Sequence, residues 1–318
     1  MKILVTGGAG FIGHHFANRL AEHHTVFVYD NLYTGDSKRL NSNVEFVKGD
    51  VTDFANLSEV SRDMDVIYHL AAISRVLESV KHPRLCFDTN VTGTFNVVEA
   101  AREHGCRIIY ASSREVYGDA QYLPVDEEHP LNPKNPYGAS KLAAEHLMRA
   151  MAATYDMHYV IIRLANVYGK GDFSRVIPTF LHNIKEGKDL VIYGSPSKII
   201  DFIHVNDVVD ALIACLDVDE QIMNIGSGIG TTLGELADIF TSFNTSTKVR
   251  VVEGNACEVD RYIANIDKAR NHIKFKPTIK LEEGLRELAE GTTRLHISPF
   301  RACGDMGQSP IINTEKRK

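Results

Sequence analysis

Across 318 residues the sequence holds no tryptophan and only five cysteines. Cys86, Cys106, Cys215, Cys257 and Cys303 are scattered and odd in number, and no two have CxxC spacing. That excludes a disulfide framework and a zinc site, and it points to buried free thiols in a reducing compartment. No metal is therefore expected. No apolar run approaches the ~18 residues a membrane-crossing helix needs. Met1 leads straight into KILVTGG with no secretory leader, so the expected location is the cytoplasm and no membrane partner is expected. An excess of positive charge is also lacking: 35 Lys and Arg stand against 41 Asp and Glu, a net charge of −6. Without a basic stripe and interleaved aromatics, nucleic acid is excluded as a general partner. A small phosphorylated ligand needs only local positive potential and stays open. No internal repeat is found.

What remains is the composition of an ordinary globular chain, 44% hydrophobic and 24% charged, long enough for a sizeable core. Short apolar runs at Ile3–Thr6, Val26–Asp30, Val44–Lys48, Val66–Leu70 and Ile108–Ser112 alternate with helical patterns from Phe11, near Phe54 and across Asn90–His104. Continuous apolar strands between helices are the signature of a parallel sheet covered on both faces. A long helix follows Pro136, and HYVIIRLAN reads as another buried strand. The fold class predicted is α/β, a Rossmann doubly wound parallel sheet with a smaller, interleaved C-terminal α/β substrate domain. Residues 1–167 form the cofactor domain, to which a stretch at about 200–225 returns. Residues 168–290 form most of the substrate domain, where DFIHVNDVVDALIACL reads as strand then helix and TTLGELADIFTSF as a helix. Residues 291–318 have no period and read as an irregular tail.

ILVTGGAGFIGHHFANRL is a strand, a glycine turn and a helix in succession. Gly7 permits the tight turn, Gly10 lets backbone approach a pyrophosphate, and Gly13 lets the helix pack close to the sheet. The helix N-terminus then offers N–H groups and a positive dipole end to an anion. A glycine triplet alone also occurs in ordinary turns. Here the second strand ends at Asp30, whose carboxylate can accept both hydroxyls of an adenosine ribose and would repel a 2′-phosphate, which selects NAD over NADP. The third strand leads into KGDVTD and puts Asp50 and Val51 at the same sheet edge, beside the expected adenine.

NPYGASKLAAEHL opens the long helix with Tyr137 and Lys141 at i and i+4, on one helical face. A Lys cation beside a phenol favours the phenolate and lowers its pKa from ~10 toward working pH. Tyr137 could then take a hydroxyl proton while hydride leaves the same carbon. Ser112 and Ser113 end a strand, where ligands of α/β sheets bind, and Ser113 is suited to hydrogen-bond the reacting oxygen. Asn90 reads equally well as the N-cap of its helix and as a functional residue.

The ordered motifs TGGAGFIG, DNLYTG, GDVTD, HLAA, NVTGT, SSREVYG, NPYGASK, RLANVYG and DFIHVNDV, from Met1 to about Ala289, resemble the extended short-chain dehydrogenase/reductase family in its nucleotide-sugar epimerase/dehydratase branch. The resemblance implies Ser113, Tyr137 and Lys141 as catalytic residues. It implies NAD contacts at Gly7, Gly10, Phe11, Ile12, Gly13, Asp30, Asn31, Asp50, Val51, Leu70, Ala71, Ala72, Asn90 and Lys141. Asn166 would contact the sugar diphosphate, Val176 the region of the base, and Arg75 would also lie at the substrate. A homodimer through a four-helix bundle of Asn90–His104 and Tyr137–Tyr155 is implied as well.

Departures from the pattern fall at Ile200 and Asn255, where relatives carry diphosphate-clamping arginines. Lys198, Arg175 or Arg261 would have to compensate. Relatives in this branch all begin by making a 4-keto sugar and differ afterwards. Glu115 is a feature of dehydratases and uronate decarboxylases, yet the Asp that precedes it in hexose 4,6-dehydratases is Arg114 here. As an alternative, Glu115 is an exposed carboxylate paired with Arg114. The expectation is an NAD-dependent 4-epimerase of a UDP-hexose or UDP-uronate. Second to it stands a 4,6- or 5,6-dehydratase or a UDP-glucuronate decarboxylase that uses Glu115. An NAD-sensing regulator would be expected to have lost Tyr137 or Lys141, and an RNA-binding relative would need a basic surface.

Overall fold

The structure, a computed structural model, describes residues 1–291 apart from 174, 244–246 and 255–256. The expectations for Asn255, Cys303 and residues 292–318 lie outside the described residues. Strands are β1 (Lys2–Thr6), β2 (Thr25–Asp30), β3 (Val44–Lys48), β4 (Val66–His69), β5 (Arg107–Ser113), β6 (Tyr159–Leu164), β7 (Asn166–Tyr168), β8 (Leu190–Tyr193), β9 (Ile199–His204), β10 (Gln221–Ile225), β11 (Gly230–Thr232) and β12 (Val249–Val252). Helices are α1 (Phe11–Leu20), α2 (Phe54–Ser61), α3 (Val76–Lys81), α4 (Pro83–Phe87), α5 (Gly93–His104), α6 (Pro136–Tyr155), α7 (Val176–Lys185), α8 (Val205–Ala214), α9 (Leu233–Phe243), α10 (Asp267–Ile273) and α11 (Leu281–Gly291).

Seven strands form one parallel sheet in the order β10-β6-β5-β4-β1-β2-β3. The central strands are largely apolar because both faces of the sheet are covered. Ile3 and Val5 of β1 join one core with Phe16 and Ala17 of α1 and Val208 and Leu212 of α8. Leu4, between them, joins the other core with Leu57 of α2, Val97 and Val98 of α5, and Ala144 and Met148 of α6. Each of the larger side chains among these contributes about 1.5–3 kcal/mol when fully buried. Strand order reverses between β1 and β4, which opens a crevice at the carboxyl ends of those two strands.

A third, smaller core gathers Phe180 of α7, Leu190 and Ile192 of β8, Phe202 of β9, Leu236 and Phe240 of α9 and Leu285 of α11. Here the strands form a three-stranded group, β11-β9-β7, and a pair, β12-β8. Within the 200–225 stretch, β9 pairs with β7 and β11, whereas α8 packs on α1 and β10 closes the large sheet beside β6.

The helix expected across Asn90–His104 starts at Gly93, after a π-helical turn at Asp88–Thr92. Short helices α3 and α4, too brief to display a period, fill the span before it. Among the described residues no helix is long and apolar enough to cross a membrane.

Candidate active site

The glycine turn sits at the carboxyl end of β1. Gly7 has φ of +71°, and a Cβ there would lie 2.5 Å from the Ala71 amide nitrogen. A Cβ on Gly13 would lie 2.3 Å from the Gly7 carbonyl oxygen, so only glycine lets α1 approach the turn. A Cβ on Gly10 would meet nothing nearer than the Gly7 carbonyl at 3.1 Å. Protein packing therefore does not fill the space over Gly10, the N-cap of α1, where the first-turn N–H groups of Phe11, Ile12 and Gly13 have no intrahelical acceptor. That open cradle fits a pyrophosphate.

Asp30 is buried at the end of β2, and its two carboxylate oxygens accept the Ala9 and Leu32 amides. Burial raises its pKa against the pull of those amides. Each oxygen keeps a lone pair for a ribose hydroxyl. Asp50 accepts the Asn31 amide at 2.7 Å and both the amide and hydroxyl of Thr52. Burial opposes its charge, but these hydrogen bonds outweigh burial and hold the carboxyl below its ordinary value. Val51 is buried beside it. Leu70, Ala71 and Ala72 follow β4 with part of their surface open, and the Leu70 amide donates to the Thr6 carbonyl.

His69 ties β1 to β4. Its Nε2 lies 2.9 Å from the Thr94 hydroxyl and its Nδ1 2.7 Å from that of Thr6. Thr94 spends its only proton on the Asn90 carbonyl, so His69 donates through Nε2 and accepts through Nδ1. Burial pushes the His69 pKa down to about 3, which keeps the ring neutral.

Asn90 is not a helix N-cap, because the π turn carries it inward. Its Oδ1 accepts the Ile73 amide, and its Nδ2 donates to the Ile73 carbonyl and the Ser140 hydroxyl. It therefore latches the segment after β4 to α6.

Tyr137 and Lys141 share the buried face of α6, below the end of β5. Tyr137 is hydrogen-bonded to Ser113 and packs with Ile73 and Cys86. The expected lowering of its pKa is reversed. Burial pushes the phenol up to about 12, and Ser113 and the Arg175 charge only partly offset this. Lys141 points its Nζ at the Ala111 carbonyl, 2.7 Å away, and lies over the Tyr110 ring. Burial pulls its pKa down to about 7. Both groups thus favour their neutral forms, which is the effect of low dielectric on each.

Glu115 is buried, not an exposed carboxylate, although its pairing with Arg114 holds: Oε1 lies 2.9 Å from the guanidinium. Its Oε2 accepts the Asn135 side-chain amide at 2.8 Å. Asn135 is itself the N-cap of α6 and accepts the Gly138 amide through Oδ1. A Cβ on Gly138 would lie 2.5 Å from the Glu115 carbonyl oxygen, which explains the glycine of NPYGASK. Arg114 also donates Nε to Asn166 Oδ1 at 2.7 Å, so Ser113, Tyr137, Glu115 and Asn166 are brought together.

The candidate clamp cations are held differently. Lys198 is buried and paired with Glu258 at 2.7 Å and Asp260 at 3.7 Å. Ile200 lies in β9 opposite Thr231. Arg261 donates to the Ala120 carbonyl at 3.2 Å, and among the described residues no carboxylate pairs with it or with Arg75. Arg175 precedes Val176 at the start of α7, pairs with Asp172 and lies over the Phe11 ring. Arg75, Arg175 and Phe11 line one cleft. Asp201 of the DFIHV segment is fully buried and accepts from the Ser227, Gly228 and Ala264 amides, so it ties loops together.

Sequence reasoning missed His69, Cys86, Asn135, Ser140 and the Ala111 carbonyl. Asn135 had a signal, an Asn-Pro before a helix, which reads as a cap. His69 and Ser140 lie inside HLAA and NPYGASK without a spacing that marks a role, and Cys86 and Ala111 carry no spacing of their own.

Residues 3–226 match the NAD dependent epimerase/dehydratase family. A putative UDP-glucose 4-epimerase of Methanocaldococcus jannaschii is 38% identical over 301 residues, 90% of this chain and 96% of that protein. A UDP-N-acetyl-α-D-glucosaminuronate decarboxylase of Bacillus cytotoxicus is 31% identical over 90% of this chain and 96% of its own length. Among solved structures, the UDP-glucose 4-epimerase of Thermotoga maritima with UDP-glucose superposes with a TM-score of 0.89 at 30% identity, covering 92% of this chain and 99% of that one.

Proposed function

Since the chain belongs to the NAD dependent epimerase/dehydratase family, we propose that this nucleotide-sugar enzyme is a 4-epimerase of a UDP-hexose or UDP-uronate, working through a transient 4-keto sugar. The observation that carries the reading is the meeting of Ser113, Tyr137 and Lys141 at the carboxyl end of β5, beside the open glycine cradle. That cradle, Asp30 and the Asn31–Asp50 pair fit NAD, with Phe11, Ile12, Val51, Leu70, Ala71, Ala72 and Asn90 around it. Bound NAD supplies the hydride acceptor.

Tyr137 takes the proton of the C4 hydroxyl, and Ser113 hydrogen-bonds the same oxygen as it becomes a ketone. Lys141 sits near its midpoint at neutral pH, so it can carry positive charge beside the phenolate with little further cost. The 4-keto sugar turns over so that its other face would receive the returning hydride, and Tyr137 gives its proton back to the C4 oxygen. Asn166 with Arg75, Arg175 and Arg261 is assigned to the diphosphate, and Val176 to the side of the base. Lys198 is the weaker choice, because two carboxylates already neutralise it. The second reading is a dehydratase or uronate decarboxylase, favoured by the buried carboxylate of Glu115 and the Bacillus cytotoxicus relative. An NAD-sensing regulator has no use for the retained Tyr137 and Lys141.

In this reading residues 1–167 with α8 and β10 hold NAD, and residues 168–290 select the substrate. The protein works in the cytoplasm as a homodimer. The exposed apolar side chains Leu77, Val80, Leu85, Phe87 and Phe95, next to α5 and α6, would be covered by a second copy. Sedimentation of Phe87→Glu as a monomer tests that interface.

Incubation with NAD and a panel of UDP-, dTDP-, GDP- and CDP-sugars tests the activity. Epimerisation leaves mass unchanged, dehydration removes water and decarboxylation removes carbon dioxide. Turnover of none of them by the intact protein sinks the enzyme reading.

A further inference from the structure

Glu115 is a carboxylate at the assigned sugar site with each oxygen held by one partner. One is bound by Arg114 at 2.9 Å and the other by Asn135 at 2.8 Å. Its backbone is wedged against Gly138, where even a Cβ would collide with its carbonyl. The Glu115 amide donates to the Ser113 hydroxyl, and Arg114 joins the Glu115 carboxylate to Asn166, so this carboxylate lies at the site assigned to the sugar. Arg114 does not pair with Glu115 alone. Its Nε also binds Asn166, and its guanidinium lies 5.7 Å over the Tyr262 ring, itself buried. A planar guanidinium held at three points is a rigid clamp, and removing it would free one oxygen of Glu115.

We propose that Arg114 is a positioning residue that decides the fate of the 4-keto sugar: it locks Glu115 against the α6 cap and keeps that carboxylate out of proton transfer. C5 lies next to the C4 ketone, so its hydrogen is acidic. A freed Glu115 would take the C5 proton, the C5–H electron pair would move into an enolate on the C4 oxygen, and the reverse step would return a proton to C5. With Glu115 clamped, that exchange does not occur and the ketone can only be reduced back. The inference rests on the epimerase reading and extends it to the second half of the reaction.

The test is turnover in D2O of a UDP-sugar that the panel identifies, with C5 followed by proton NMR and mass spectrometry. Wild-type product is expected to keep its C5 hydrogen. Arg114→Met is expected to gain one mass unit at C5, and Arg114→Met with Glu115→Gln to lose that gain. Arg114→Lys keeps the cation but not the fork and should exchange to an intermediate extent, which preserves the test if the Met variant misfolds. Deuterium at C5 in wild-type product overturns the proposal. So does its absence from a variant that still epimerises, or its survival without Glu115. A wild type that epimerises nothing sinks the epimerase reading instead.

Discussion

In the proposed reading, the oxidising half of the site and the half that chooses substrate treat charge in opposite ways. Around Tyr137, Lys141 and His69, among the described residues, no ion pair holds the ionisable groups, and burial is the main force that drives each toward neutrality. Around Arg114, Glu115 and Lys198 each ionisable group faces one of opposite sign. A group with no charged partner can change its protonation state without abandoning one. A paired group resists, because giving up its charge abandons its partner. The first half is therefore built to react and the second to hold shape.

The largest effect should come from the reacting half. Tyr137→Phe removes the proton acceptor and should lower turnover by about 10²–10⁴-fold, with NAD still bound. Product formation and NAD absorbance after gel filtration measure the two. Full activity in this variant would break the contrast, because the proton would then be leaving through the paired half, by way of Glu115.

Lys141 offers a test through pH. Its folded pKa of about 7 lies below the unfolded value of 10.5. The folded state therefore binds fewer protons than the unfolded chain between those values, and stability rises with pH across that window. Below pH 7 the full cost of burying the cation is present. Lys141→Met should thus unfold later than wild type at pH 6, and its advantage should shrink as pH rises through 7 to 9. Denaturant midpoints at each pH measure this. A difference that does not change with pH would mean that Lys141 keeps its charge through a partner, as the other half does.

Gly13→Ala should cost about 1–3 kcal/mol, since a methyl group 2.3 Å from the Gly7 carbonyl forces α1 off the turn. NAD affinity should fall with it, by fluorescence titration. This site was legible in the sequence because a glycine's reason is local: TGGAGFIG is contiguous, and so is the i, i+4 pair of α6. The two-faced sheet was legible for the same reason, since alternation along β1 sends Ile3 and Val5 to one core and Leu4 to the other. Asn90 was not legible. A π turn placed it against Ile73 and against Ser140, 50 positions away, and no spacing predicts that. The pKa of Tyr137 was misjudged because the sequence displays its lysine neighbour but not the burial that dominates both. The pairing of Glu115 with Arg114 was legible from their adjacency, but its contact with Asn135 was not, because Asn135 comes from another element, 20 positions on.

The smallest effect should come from Lys198→Met. Lys198 is the natural replacement for a missing diphosphate clamp if cations are counted by position alone. Its ammonium already faces two carboxylates, and Glu258 and Asp260 are 36% and 73% exposed, so water can take over their solvation once the lysine is gone. Losing such a pair should cost no more than about 1 kcal/mol of stability. Because the ammonium carries little net charge toward the cleft, KM for the UDP-sugar should rise no more than about threefold, less than the 1.4 kcal/mol that a tenfold change represents. The matching change at Arg261, whose guanidinium donates to the Ala120 carbonyl and pairs with no carboxylate among the described residues, should raise KM further with little effect on stability. Should Lys198→Met raise KM tenfold while Arg261→Met does nothing, substrate must displace Glu258 and Asp260 to reach the lysine. The paired half would then be rearranging during turnover, and its pairs would be latches that open for the diphosphate.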